Sequence, residues 1–97
     1  MNFSDYELTD QRLCMIRFLN EQGNKSLNES LLHSAVRGLL NISRAQIREQ
    51  IKWLDEAGLV DIDEIQDILV AVLTNKGIDV ANGDTTVEGV LPAAKVL

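Results

Sequence analysis

Residues 43–60, SRAQIREQIKWLDEAGLV, constrain the fold more than any other part of this chain. Ser43 predicts an N-cap, because its hydroxyl can accept from the free backbone N–H groups of a first helical turn. Ile47, Ile51, Leu54 and Ala57 then recur at helical spacing and form one apolar stripe. Gly58 falls where a helix ends in a left-handed residue, a conformation that a side chain disfavours. Leu59 and Val60 begin an extended segment. A helix that stops at one glycine and runs straight into a strand leaves few ways to arrange the rest.

Upstream, Ser4 and Glu7 have capping-box spacing, so a first helix is expected to begin near Asp5. Leu8, Met15, Ile16 and Leu19 share one face of it, and Gly23 lies just past its end. Arg12 is expected to pack its aliphatic stem on that face and to send its guanidinium to solvent. Cys14 lies off the stripe and reads as an incidental thiol. Residues 24–27 form a polar connection ending in an apolar residue. Asn28 predicts the N-cap of a second helix, with Leu27 and Leu32 as a hydrophobic staple around it. Leu31, Leu32, Ala35, Val36 and Leu39 are the expected buried face, with His33, Ser34 and Arg37 on the polar side. Residues 38–42 supply a short turn into the central helix, which fits helix-turn-helix geometry.

Downstream the period changes. Val60 and Ile62 alternate with Asp61 and Asp63, as in a strand with one wet face. Residues 64–67 are the expected hairpin tip, although no Asn-Gly or Gly-Gly pair marks it. The next strand, ILVAVL at 68–73, is apolar on both faces and is expected to be covered on both, by the core and by the C-terminal segment or a second copy. Thr74 predicts the cap of a short fourth helix, TNKGIDVANG, ending at Gly83. Residues 84–97 read as an arm, extended or disordered when alone, beyond a domain at 1–83. Its Val87, Val90, Leu91, Val96 and Leu97 are unusually apolar for a solvated tail. The expected fold is α+β, mainly helical with a two-stranded β-hairpin, in the order α-α-α-β-β-α.

The formal net charge of −6 is unfavourable for binding a polyanion, but its distribution is uneven. Residues 58–73 carry four acidic side chains and no basic one, whereas 25–42 carry two basic and one acidic. A single cysteine excludes an internal disulfide and suits a reducing compartment. One His and one Cys leave the usual zinc patterns unmet, so no metal is expected. There is no glycine-rich phosphate loop and no arrangement that predicts a catalytic triad, so neither an enzyme nor a cofactor is expected. No apolar run approaches a membrane span, and MNFSDYELTDQR has no basic region followed by an apolar run. A cytoplasmic setting is therefore expected.

The Ser-Arg start of the central helix, WLDEAGLV at 53–60 and LTNKGIDVA at 73–81 together resemble winged-helix repressors of the ArsR and MarR type. With SLNESLLHSAV at 26–36, the chain also resembles a family of small winged-helix proteins encoded in Mu-like prophages of proteobacteria, over roughly residues 8–90. The resemblance implies a winged helix-turn-helix and a bacterial host. In that docking mode the N-terminal half of the central helix meets base edges in the major groove of duplex DNA. Arg44, Gln46 and Arg48 would then touch bases, since Arg pairs bidentately with guanine and Gln with adenine. Ser43, Lys52 and Arg37 would hold the phosphate backbone, with Lys25 able to add to them. The expected function is a phage-type transcriptional regulator acting as a homodimer. Asp61, Asp63, Glu64 and Asp67 work against it, because phosphate attraction supplies most non-specific affinity. The alternative is a protein–protein module in phage gene control or assembly, whose acidic hairpin, apolar strand 68–73 and arm would meet another phage protein. Trp53 is expected to pack between helix and hairpin, and His33 to lie at the surface.

Overall fold

A computed structural model describes residues 2–94. Its elements are α1 (Phe3–Glu21), β1 (Ser26–Asn28), α2 (Glu29–Val36), α3 (Arg44–Glu56), β2 (Val60–Ile65), β3 (Ile68–Leu73) and α4 (Asn75–Ala81). The fold is α+β, as expected, but the antiparallel sheet has three strands in the order β1-β3-β2. The extra strand is β1, within and just after the segment read as a polar connection. Three residues are too few to show an alternation. Ser26, Leu27 and Asn28 pair with Val72, Ala71 and Val70. Asn28 ends the strand and caps α2 at once, its side chain accepting from Leu31 N.

The first helix starts earlier than its spacing suggested. Asn2 is the N-cap and accepts from Asp5 N at 2.9 Å, so Ser4 and Glu7 lie inside the helix and form no capping box at its start. Met15, Ile16 and Leu19 are fully buried, joined by Leu13 and Thr9. In α2 the buried positions are Glu29, Leu32 and Val36. Leu31 faces solvent instead, and Leu39 lies past the end of α2, where helical spacing no longer sets its direction. His33 does more than sit at the surface: its Nε2 lies 2.9 Å from the Ile42 carbonyl and closes the turn between α2 and α3.

The central segment behaves as read. Ser43 and Gln46 form a reciprocal capping box at the start of α3. At its end Gly58, with φ 77°, allows Leu59 N to donate to Leu54 O and Gly58 N to Asp55 O, the paired bonds of a Schellman ending. The hairpin turn is tighter than the expected four residues. Ile65 pairs with Ile68, leaving Gln66 and Asp67 as a two-residue loop with φ of 50° and 65°. Two left-handed residues match the twist of a hairpin, here without the usual Asn-Gly.

The two stretches WLDEAGLV and LTNKGIDVA are stitched together. Thr74 Oγ1 donates to Gly58 O at 2.7 Å, Thr74 N donates to Leu59 O at 3.0 Å, and Lys76 Nζ donates to Ala57 O at 3.1 Å. Gly77 is required by this seam, because a Cβ there would overlap the Leu59 carbonyl and the Leu73 side chain. Beyond α4, residues 84–94 of the arm lie on the body of the same chain. Leu91 N donates to Thr9 O, Val90 is buried, and Val87, Leu91 and Ala93 pack on the core. Val96 and Leu97 lie outside the described residues.

Gly77→Ala should destabilise the protein by about 1–3 kcal/mol through overpacking against fixed backbone. Leu54→Ala should cost about 2–5 kcal/mol through a cavity. Asp67→Gly, by contrast, should stabilise it by about 0.5–1 kcal/mol, since glycine tolerates a left-handed φ. Urea unfolding of the three variants checks all of these.

Candidate functional site

The contact residues expected from the sequence lie on α3, at its N-cap Ser43 and at Arg37 at the end of α2, and Glu29 is not among them. That carboxylate is the first residue of α2 and only 1% exposed. Its Oε1 accepts from Arg48 NH1 at 2.6 Å and from the backbone N–H of Leu69 at 3.1 Å, with Arg44 NH2 3.7 Å away. Arg48 NH1 also donates to the carbonyl of Asp67 in the hairpin turn at 3.0 Å. One buried carboxylate thus fastens the start of α2, the middle of α3 and the beginning of β3 at a single point. Its Oε2 is buried with no hydrogen-bond partner among the described residues. Burial opposes the charge on Glu29. The Arg48 hydrogen bond, the Leu69 amide and the nearby charges of Arg48 and Arg44 outweigh it, so its pKa falls below the usual carboxylate value. The only sequence signal was a charged residue at the i, i+3, i+7 spacing shared with Leu32 and Val36.

This network sorts the six predicted contact residues. Arg48 is oriented inward, towards Glu29 and the hairpin turn. Gln46 commits its Oε1 to Ser43 N, and Ser43 commits its hydroxyl to Gln46 N. Arg44 is half-exposed and touches the same carboxylate only at its edge. Lys52, on the outer side of α3, and Arg37, at the end of α2, are exposed. Lys25 is turned away from that side, its Nζ donating to Asn20 O at the end of α1. The outer surface of α3 therefore presents Arg44 and Lys52, interleaved with Glu49, Asp55 and Glu56.

A second polar cluster lies between α1, α3 and the arm. Arg12 does not reach for solvent as its position suggested. Its guanidinium carbon lies 3.9 Å from the Trp53 ring centroid, Nε donates to Gln50 Oε1 at 2.8 Å, and NH1 donates to Gly89 O at 2.9 Å. Trp53 thus packs against α1 and the arm. Gly89 has φ 94°, and a Cβ there would press into the Trp53 ring at 2.5 Å. Cys14 is half-buried. Burial, reinforced by Asp10 and opposed by Arg17, pushes its thiol up, away from a reactive thiolate. Among the described residues no group of three His, Cys, Asp or Glu side chains gathers as metal ligands would. None of the described helices is long and apolar enough to cross a membrane.

The chain is 38% identical over 88 residues to an uncharacterised protein, gp26, of Escherichia phage Mu, spanning 90% of this chain and 91% of that protein. It belongs to the family of that phage Mu protein. An uncharacterised protein of Haemophilus influenzae is 35% identical over 78 residues, 78% of this chain and 76% of its own length. No family model and no solved structure matches the chain.

Glu29 gives a pH signature. A carboxylate whose pKa is lowered on folding adds stability above its unfolded value, and that stability is lost as pH falls through the folded value. The native protein should therefore lose stability as pH falls below ~4.3, the unfolded carboxylate range. Glu29→Gln should flatten that part of the profile. The difference between the two unfolding curves across pH 2–7 isolates Glu29, because the other carboxylates are common to both.

Proposed function

We propose that the chain is a winged helix-turn-helix protein that binds duplex DNA as a transcriptional regulator of Mu-like phages. The observation that carries this reading is the arrangement of α2, α3 and the hairpin. A short helix and a longer one are joined by a closed turn, and a hairpin follows at once. The outer side of α3, at Arg44, Ala45, Glu49 and Lys52, is exposed among the described residues. In this reading α3 enters the major groove with its N-terminal half leading. Arg44 is the base-reading cation, and the side-chain amide of Gln46 keeps donors to offer while its Oε1 holds the cap. The first-turn N–H groups after Ser43, with Arg37 and Lys52, meet phosphates. Arg48 acts as a positioning residue that holds the hairpin turn against α3 while neutralising Glu29.

The acidic hairpin shapes what this binding looks like. Asp61, Asp63, Glu64 and Asp67 repel phosphates, so the hairpin stands off the duplex and affinity comes from the helix. Few phosphates are neutralised per chain, and a homodimer would double that number. A titration of duplex DNA at several salt concentrations tests this. Binding should be weak on random sequence, with a shallow salt slope of roughly −0.9 per phosphate neutralised. Lys52→Ala should lower that slope by about 1 without changing sequence preference. Arg44→Ala should also relax preference at one base, by about 1–3 kcal/mol. Absence of binding at low salt to both random and selected duplexes, or identical behaviour of Arg44→Ala, would contradict the reading.

A further inference from the structure

The two faces of the sheet are used differently. Leu69, Ala71 and Leu73 of β3 point into the core. Ile68, Val70 and Val72 point the other way, and the register sets Ile65, Asp63 and Asp61 of β2 directly beside them. On the far side, Val70 and Val72 face Asn28 and Ser26 of β1. Ile65 remains 58% exposed and Ile68 38%, while Val70 and Val72 are half-buried. An apolar column thus runs the length of β3 and meets water. The arm, one of the two expected covers, lies on α1 and α3 instead.

We infer that this outer face docks one amphipathic helix of another protein, carrying an apolar stripe with lysine or arginine on its flank. Size is the first reason. Three strands ~4.8 Å apart make a face roughly 10 Å wide, and a helix with its side chains is about as wide. Charge is the second. Asp61 and Asp63 form a row along one side of the apolar column, and neither has an ion-pair partner among the described residues. That row attracts a basic flank and repels nucleic acid. It also argues against a second copy of this chain docked through the same face or through α1. The exposed apolar residues on α1, Phe3 and Tyr6, stand among Asp5, Glu7 and Asp10, so self-docking there would bring like charges together. The face belongs to the hairpin and not to the outer side of α3, so this inference stands or falls separately from the DNA reading.

The test uses the full chain and two designed helical peptides. One carries leucine on one face and arginine on its flank, and its twin carries glutamate in place of arginine. Amide shift mapping and calorimetry should show the arginine peptide binding, with shifts centred on residues 61–72. The glutamate twin should not bind. Asp61→Asn with Asp63→Asn should weaken the arginine peptide by about fivefold, the order expected of two exposed ion pairs. Ile68→Ser should weaken it by about tenfold through lost apolar contact. Equal affinity for both peptides, shifts centred elsewhere, or self-association of the protein through residues 61–72 would each overturn the inference.

Discussion

The arrangement of α2, α3 and the hairpin depends on one buried carboxylate. Glu29 is nearly inaccessible, yet it is paired with Arg48 at 2.6 Å and bonded to the backbone of Leu69. A buried ion pair adds little net stability against an apolar substitute, but leaving one partner alone is costly. Its effect here is geometric. Glu29 opens α2, Arg48 lies in α3, and the Leu69 amide and Asp67 carbonyl belong to the hairpin. Three elements are thereby tied to one another at a single point. The position of Glu29 at the start of its own helix adds the favourable end of the helix dipole to the charge.

That constraint alters how basic residues on a helix should be read. Counted along the sequence, Arg44, Arg48 and Lys52 form one stripe. In space Arg48 is already spent on Glu29 and on the hairpin turn, which leaves Arg44 and Lys52 for an external anion. A similar reassignment occurs at Arg12, which holds Trp53 and the Gly89 carbonyl together. Both arginines work inside the molecule. The protein therefore has fewer free cations than its composition suggests, on a chain that is already acidic.

What was legible in the sequence followed from local rules. The Ser43 cap, the α3 stripe, the Gly58 stop and the Thr74 cap depend on near neighbours, and each formed as its residues dictate. The alternation after Gly58 likewise exposed the two aspartates and buried Val60. Illegible features rested on partners far along the chain. β1 is too short to carry a period, and it forms because β3 offers it an edge. Glu29 owes its role to Arg48 and Leu69, 19 and 40 residues away along the chain. Gly89 gave no sign that it sits under an indole ring. The cations of α3 were legible as a stripe along one helix, but their division into structural and free ones was not.

A double-mutant cycle between Glu29 and Arg48, using Glu29→Gln and Arg48→Met and following equilibrium unfolding, tests this account most directly. The pair should show a coupling above about 1 kcal/mol, because each single variant leaves the other partner without its counterpart. Amide shifts at Asp67 and Leu69 should move in both single variants. A coupling near zero, with the hairpin amides undisturbed, would contradict the claim that this pair sets the register of α2, α3 and the hairpin.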